Sequence, residues 1–279
     1  MNEVESVALD VSKRPSARRH LLTAVVLAWF GVLILFPLYG IIRETLHHSW
    51  AAIRTALSSP ASMHAFWMTL ILTLGAVVIN TVLGTVSALV LSRQRFFGKA
   101  LLESAIDLPF AISPVVAGFM LILLFGPNGW LGPILERTHI KIVYAFPGML
   151  LATLFVTMPF VIKEILPLLR EFSAEQEECA AVLGANRWQT FFRVTLPSIR
   201  WGLGYGITLT IARSLGEFGA VLVVSGSIIQ KTQTATLLVH DQFADLNYAG
   251  AFSAALVLAL ASFIILNGIQ FLHRRKGGG

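Results

Sequence analysis

Residues 178–184 read Glu-Cys-Ala-Ala-Val-Leu-Gly, and residues 194–197 read Val-Thr-Leu-Pro. The two segments form a polar island between long apolar stretches of the chain. Signals for helix ends and starts around Gly184 predict two short helices joined by a turn, and Pro197 is expected to end the second helix. The sequence around this island therefore indicates a helix–turn–helix elbow between membrane-spanning segments.

Each helix of the elbow begins with the same signature. Ser173 and Gln176 have the spacing of a capping box, in which each side chain accepts a hydrogen bond from the backbone N–H group of the other residue. Asn186 and Gln189 repeat this spacing at the start of the second helix. Gly184 suits the end of the first helix because glycine tolerates a left-handed backbone. The helix dipole favours carboxylates in a first turn, and the first helix carries three of them: Glu175, Glu177 and Glu178.

The composition is that of an integral membrane protein. Of the 279 residues, 56% are hydrophobic and 13% are charged, which is about half the charged share of an ordinary globular domain. The net charge of +6 is typical of basic residues that flank cytoplasmic helix ends, so no nucleic-acid partner is expected. The single cysteine, Cys179, excludes a disulfide bond within the chain.

Six apolar segments are long enough to cross a membrane, since roughly 20 helical residues span the hydrocarbon core. Prolines break the third segment and bend the fourth, which a membrane protein tolerates where neighbouring groups satisfy the freed carbonyls. The polar segments 43–64 and 225–248, together with a Gly/Pro-rich segment after residue 125, are predicted to be external. The six apolar segments cover about residues 21–42, 66–91, 105–125, 143–162, 201–224 and 249–271.

The distribution of basic residues orients these segments. Of the 21 Lys and Arg residues, 15 lie on the side of both termini and the elbow, and five lie on the opposite side. The basic side of a membrane protein is normally the cytoplasmic side. The sequence therefore predicts a cytoplasmic tail over 1–20, a transmembrane domain over 21–272 that contains the elbow at 173–197, and a basic cytoplasmic end over 273–279.

The sequence contains no recognisable catalytic set. A P-loop, Cys-x-x-Cys, His-Glu-x-x-His and Gly-x-Ser-x-Gly are all absent from it. His47, His48 and His64 are close in sequence, but solvated interfacial histidines are a better interpretation than a metal site. We therefore expect neither a catalytic centre nor a metal site in this chain.

Arg213 and Glu217 are an ionisable pair within the fifth apolar segment. They are four residues apart and share one helix face, so each is expected to pair with the other. An ionised side chain at mid-membrane costs about 2.5–3.5 kcal/mol on insertion scales, and pairing reduces that cost. Two interpretations stay open. Arg213 is a positive element of an anion pathway, and Glu217 reduces its attraction for the anion, or the two residues are a structural ion pair that fixes the packing of this segment. The structural interpretation is favoured.

The elbow resembles the EAA-x3-G-x9-I-x-L-P signature of bacterial ABC-importer permeases. The signature is long and position-specific, and the chain departs from it where Cys179 replaces an alanine and Val194 replaces the isoleucine. The resemblance implies the type I ABC-importer permease fold, an all-α integral membrane protein with about six transmembrane helices and a cytoplasmic coupling-helix elbow. The matching residues are Glu178, Ala180, Gly184, Leu196 and Pro197.

In that family the elbow docks into a groove of an ATPase subunit. The resemblance implies that Glu178 and Gly184 set the shape of the elbow here. Ala180, Ala181 and Leu183 are expected to contact the ATPase groove, and the small side chains of Ala180 and Ala181 let another surface approach closely. The permease itself is expected to hydrolyse nothing.

Two further segments are similar to the permeases of sulfate and thiosulfate importers, most of all to their W-subunit branch. Residues 212–226 read Ala-Arg-Ser-Leu-Gly-Glu-Phe-Gly-Ala-Val-Leu-Val-Val-Ser-Gly, and residues 107–118 read Asp-Leu-Pro-Phe-Ala-Ile-Ser-Pro-Val-Val-Ala-Gly. The resemblance covers about residues 20–272. It implies import of sulfate or thiosulfate, and Arg213 and the polar bend Ser225-Gly226-Ser227 are candidates for the pathway.

The resemblance also implies an assembly in the bacterial inner membrane. Its other members are expected to be a second, non-identical permease, two copies of an ABC ATPase and a periplasmic sulfate-binding protein. ATP and Mg²⁺ belong to the ATPase, and no cofactor is expected in this chain. Membrane lipid is the remaining expected contact.

Two alternatives remain at this point. Molybdate and tungstate are oxyanions of similar shape and charge, so a molybdate or tungstate permease that acts as a homodimer fits the same sequence. A secondary anion carrier or a membrane-embedded enzyme is less well supported. Carriers often contain internal repeats and midplane ionisable residues, but no repeat is visible here and the elbow has no role in a carrier.

Overall fold

The computed structural model describes residues 17–47, 50–171 and 174–276, and every regular element in these ranges is a helix. Most of the predicted tail, residue 173 and the last three residues lie outside them. Two segments, Gly31–Leu35 and Phe191–Thr195, are π-helical and connect consecutive α-helices. The helices are α1 Ala17–Phe30, α2 Phe36–His47, α3 Trp50–Ser58, α4 Pro60–Arg93, α5 Lys99–Ile106, α6 Leu108–Ala111, α7 Pro114–Phe125, α8 Gly132–Arg137, α9 Phe146–Glu171, α10 Ala174–Val182, α11 Arg187–Thr190, α12 Leu196–Leu215, α13 Gly219–Ser225, α14 Ala235–Ala244 and α15 Tyr248–Lys276.

The chain divides into two compact units, residues 1–50 and 51–279. The first unit contains one apolar helix made of α1, the first π-helical segment and α2. Its span His20–His47 has 28 residues and a mean hydropathy of 2.5, which is long and apolar enough to cross a membrane. Pro37 follows the π-helical segment by two positions. The wider π turn accommodates a proline that lacks a backbone N–H donor, so the helix continues through it.

The core of the second unit forms where α4, α9 and α12 pack together. Val161 of α9 lies between two glycines of the neighbouring helices. A Cβ atom added to Gly84 of α4 would lie 3.0 Å from Val161 Cβ, and one added to Gly206 of α12 would lie 2.9 Å from Val161 Cα. Glycine at both positions therefore allows the three helices to approach this closely. Fully buried side chains around this point include Leu91, Ile165, Leu169 and Ile199.

Two of the predicted spans are broken helices. Helices α5 and α6 together make an angle of 115° with α7, and the break falls at residues 112–113, directly before Pro114, as the proline predicted. The helix that ends at Leu215 makes an angle of 54° with α13. The half-helices α7 and α13 pack on each other, and a Cβ atom added to Gly118 in this contact would lie 2.8 Å from Val223 Cβ.

The number of spans agrees with the sequence prediction. Within the described ranges, four helices are long and apolar enough to cross a membrane: 20–47, α4, α9 and 248–269 of α15. The count becomes six when each broken pair is taken as one span. The prediction of an all-α protein with about six transmembrane helices is therefore confirmed.

The helix of the fourth span extends beyond the predicted apolar segment. The apolar pattern ended before Lys163, but α9 continues to Glu171. Lys163 pairs with Asp107, and Arg170 pairs with Glu103 at 2.6 Å. These ion pairs with the preceding broken helix stabilise a polar continuation of α9 that an apolar pattern does not reveal.

The segments predicted as polar loops also contain helices. Helix α3 lies within 43–64, and α14 lies within 225–248. Leu237 and Leu238 of α14 are buried, and the backbone N–H group of Ala235 donates a hydrogen bond of 2.8 Å to Thr69 Oγ1 on α4. The polar residues before α14 are buried in the protein rather than solvated, which the sequence pattern did not reveal; they are Thr232, Gln233 and Thr234.

Candidate functional sites: the elbow and the break in the fifth span

The first helix of the elbow ends as the sequence predicted. The backbone N–H group of Gly184 donates to the carbonyl of Ala181, and that of Ala185 donates to the carbonyl of Ala180, both at 3.0 Å. This is the Schellman motif, and Gly184 supplies its left-handed residue with a φ of +87°. Ser173, the predicted N-cap of this helix, lies outside the described residues.

The second helix of the elbow starts with the predicted capping box. The backbone N–H group of Gln189 donates to Asn186 Oδ1 at 2.8 Å, and the backbone N–H group of Asn186 donates to Gln189 Oε1 at 2.9 Å. Both residues therefore satisfy backbone groups that have no partner within the helix. The turn at Gly184 and the capping box at Asn186 set the geometry between the elbow helices α10 and α11.

Pro197 does not end the second elbow helix, and that prediction was wrong. The helix runs from Arg187 through the π-helical segment to Leu215. The Ser198 hydroxyl donates to the carbonyl of Val194 at 2.7 Å, close to the point where the proline lacks a donor. The wider turn accommodates the proline ring, as it does before Pro37 in the first unit. The elbow is thus continuous with α12.

The tip of the elbow is an exposed apolar surface. Val182 and Leu183 are both 87% exposed. Trp188 and Phe192 are also exposed, and their stacked rings lie 6.1 Å apart. An exposed apolar patch of this kind marks a surface where another protein or a membrane binds.

The predicted elbow residues fall into two groups by exposure. The exposed group lies at or near the tip, and the other group is partly buried. Leu196, in the second group, packs against the buried cluster that includes Val161. The exposed residues are Glu178, Ala181, Leu183, Gly184 and Pro197, and the partly buried ones are Ala180 and Leu196.

Glu177 makes contacts that the sequence did not predict. Its Oε1 atom accepts hydrogen bonds from Arg93 Nη2 and from Thr195 Oγ1, each at 2.9 Å. Arg93 is the last residue of α4, and Thr195 is the last residue of the second π-helical segment. No local spacing predicts these contacts, because Arg93 is 84 positions from Glu177.

The break in the fifth span contains the predicted ion pair. Arg213 Nη1 lies 2.8 Å from Glu217 Oε2, and the exposed fractions of the two side chains are 32% and 1%. Glu217 Oε1 also accepts a hydrogen bond of 3.0 Å from the backbone N–H group of Ala220. The carboxylate thus joins the end of α12 to the start of α13, and the Glu217 carbonyl accepts a hydrogen bond of 2.8 Å from Thr236 Oγ1.

The polar bend Ser225-Gly226-Ser227 is a closed turn. Ser225 is buried, and its hydroxyl oxygen accepts a hydrogen bond of 3.1 Å from the backbone N–H group of Ser227. The Ser227 hydroxyl donates to Asp241 Oδ2 at 2.5 Å, and Gln233 Nε2 donates to the same oxygen at 2.7 Å. The sequence reading missed Asp241, which holds this turn against α14.

The described residues form no cluster suited to a metal ion. No group of three or more His, Cys, Asp or Glu side chains comes together within the ranges that the structure covers. Of the three histidines considered from the sequence, His48 lies outside those ranges.

Comparison with known proteins gives one family for most of the chain. The family model described as "Binding-protein-dependent transport system inner membrane component" matches residues 80–277. The chain is 45% identical to the "Sulfate transport system permease protein CysW" of Synechocystis sp., over 93% of this chain and 94% of that protein. It is 42% identical to the protein of the same name in Escherichia coli, over 84% of this chain and 80% of that protein.

Two further similarities extend this result. The chain is 37% identical to the "Sulfate transport system permease protein CysT" of Escherichia coli, over 88% of this chain and 89% of that protein. The fold is similar to that of a bacterial ABC transporter involved in the import of alginate, with a TM-score of 0.78 and 18% sequence identity. That comparison covers 92% of this chain and 96% of the solved chain.

Proposed function

Because the chain belongs to the family of inner-membrane components of binding-protein-dependent transport systems, we propose that it is a permease subunit of an ATP-driven importer of sulfate or thiosulfate. It is a multi-pass protein of the inner membrane. The observation that carries the proposal is the 45% identity, over 93% of this chain, to a protein named as a sulfate transport permease. The chain supplies the membrane path, and the chemistry of ATP belongs to a partner.

The elbow is the part of the chain that binds the ATPase. Its exposed tip offers apolar side chains that a groove on the partner would bury, and Leu183 is the most prominent of the proposed contacts. Glu178 and Gly184 set the shape of the tip, while Ala180 and Ala181 allow close approach. Leu196 and Pro197 connect this surface to α12. Two ATPase copies bind ATP and Mg²⁺, and this chain binds no cofactor.

A second permease and a binding protein complete the importer. Escherichia coli has relatives with two different sulfate permease names, which supports a pair of non-identical permeases. A similar fold occurs in a transporter solved with its periplasmic protein, which supports delivery of the anion by such a protein. The excess of basic residues on the side of the elbow and both termini supports a cytoplasmic location for them.

The anion pathway runs past the break in the fifth span. Arg213 retains 32% exposure of its side chain while it is paired with Glu217. A paired guanidinium attracts an anion less strongly than a lone one, so it permits release. Ser225 and Ser227 are the other proposed pathway residues, although their hydroxyl groups are already hydrogen-bonded to neighbouring groups of the protein.

Uptake of radiolabelled sulfate by cells that lack this chain, with and without a plasmid that restores it, tests the proposal. We expect uptake only in the restored cells, and we expect it to be blocked by excess unlabelled thiosulfate and by an ATPase partner that cannot hydrolyse ATP. Loss of molybdate uptake in place of sulfate uptake would assign the chain to molybdate. Sulfate uptake that persists without the ATPase would identify a secondary carrier.

A further inference from the structure

One carboxylate joins three elements at the base of the elbow. Glu177 Oε1 lies 2.9 Å from Arg93 Nη2 and 2.9 Å from Thr195 Oγ1. The side chains of Arg93 and Glu177 are 25% and 23% exposed, and Thr195 is buried. Hydrogen bonds that involve a charged group are shorter and stronger than neutral ones, so this arrangement resists separation of its three members.

The contact with Thr195 gives the two helices of the elbow a second connection. Apart from side-chain packing, α10 and α11 are linked by the short turn that contains Gly184. The hydrogen bond from Thr195 to Glu177 links α10 to the second π-helical segment, beyond α11 and away from that turn. With both connections in place, the two elbow helices move as one body rather than opening at the glycine.

The contact with Arg93 connects this body to a second span. Arg93 is the last residue of α4, a helix of 34 residues that packs along both α9 and α12. Thr195 leads directly into α12. A displacement of the elbow is therefore passed to two membrane helices, and Glu177 is the group that both connections share.

The neighbouring carboxylates of α10 do not have this position. Glu175 and Glu178 are exposed, and neither forms a hydrogen bond or an ion pair with another described side chain. Glu177 thus differs from them in its contacts and not in its chemistry. Glu175 provides a matched control on the same helix.

We infer that Glu177 is the positioning residue that transmits movement of the elbow to α4 and α12. The inference rests on the proposed function, in which an ATPase binds the tip of the elbow. It assigns the transmission to a residue that the family signature over 178–197 does not include. A purely structural role predicts less assembled protein, whereas transmission predicts a change in the sulfate imported per ATP hydrolysed.

The test uses the complete transporter in proteoliposomes, with its ATPases and its binding protein, and measures sulfate import and ATP hydrolysis on the same sample. For Glu177→Gln we expect a several-fold loss in sulfate imported per ATP hydrolysed, because the neutral amide no longer forms an ion pair with Arg93. Thr195→Val keeps the shape of the side chain and removes one of the two bonds, so a smaller loss is expected. Glu175→Gln should leave the ratio unchanged.

The outcomes separate this inference from the function on which it rests. If the unmodified complex imports no sulfate, the proposed function fails. If the unmodified complex imports sulfate, and Glu177→Gln and Thr195→Val both import the same amount of sulfate per ATP hydrolysed as it does, the inference is overturned. This holds even where the yield of complex falls. If Glu177→Gln does not assemble, Thr195→Val alone decides by the same criterion.

Discussion

Two arginine–glutamate pairs of this chain have nearly the same contact distance and very different surroundings. Arg213 and Glu217 lie 2.8 Å apart within one broken span, and the Glu217 side chain is 1% exposed. Arg93 and Glu177 lie 2.9 Å apart, join separate elements, and are each about one-quarter exposed. A buried carboxylate without its cation is costly, whereas a partly exposed pair adds little stability. We therefore expect the first pair to contribute more to stability, and the second to matter for the elements that it connects.

Arg213→Met removes the cation of the buried pair and is expected to have the largest effect. Glu217 then keeps its hydrogen bond from Ala220 but loses its cation, and breaking a buried pair in this way costs about 3–5 kcal/mol. We expect a large decrease in the temperature at which the purified permease loses its folded form. Size-exclusion chromatography of heated samples measures this change.

The double variant Arg213→Met, Glu217→Gln is the control for that measurement. It removes both charges, so most of the lost stability should return. An unchanged unfolding temperature of the single variant Arg213→Met would contradict a structural role for the pair. The double variant also decides between the two interpretations of the pair. Sulfate import that stays lost in a stable double variant requires a role for the pair in transport beyond stability.

Local spacing explains which features the sequence predicted. The capping box of Asn186 and Gln189, the left-handed Gly184 and the pair of Arg213 and Glu217 all involve residues within four positions of one another or a single residue. Their geometry follows from helix periodicity and backbone sterics, so the residue types alone predict it. The break before Pro114 is predictable for the same reason.

The features that the sequence did not predict depend on contacts across the fold. Glu177 belongs to a set of three glutamates that look equivalent in sequence, and its partner Arg93 is 84 positions away. A proline normally ends or kinks a regular helix, but the π-helical segment before Pro197 lets the helix continue through it. The segment that contains α14 has the pattern of a polar loop because its threonines find partners elsewhere in the fold, as Thr232 does on the Ser225 carbonyl and Thr236 on the Glu217 carbonyl.

Gly184→Val changes the turn between the two elbow helices and is expected to have an intermediate effect. The residue has a φ of +87°, and an added Cβ atom would meet nothing within 4 Å, so the cost is backbone strain rather than a clash. A side chain in the left-handed region costs about 1–2 kcal/mol. We expect the tip of the elbow to lose order and the sulfate imported per ATP to fall.

Hydrogen exchange at the backbone N–H groups of Gly184 and Ala185 measures the loss of order directly, since these groups form the Schellman motif. Gly184→Asn is the matched control, because asparagine tolerates the left-handed region better than valine. Equal protection of these groups in the valine variant and the unmodified protein would show that the turn does not depend on glycine.

A double-mutant cycle on Arg93 and Glu177 has the smallest expected effect on stability and tests the comparison most directly. Because both side chains are about one-quarter exposed, their coupling energy should be about 1 kcal/mol or less. The cycle compares unfolding midpoints of Arg93→Met, Glu177→Gln, the double variant and the unmodified protein, and it cancels effects on other contacts of either residue. A coupling energy as large as the loss of unfolding free energy expected for Arg213→Met would show that the two pairs contribute equally to stability. A small coupling energy and an unchanged unfolding midpoint for Glu177→Gln, together with reduced sulfate import per ATP for this variant, would separate transmission from stability. The substitution would then impair transport in a protein that is as stable as the original.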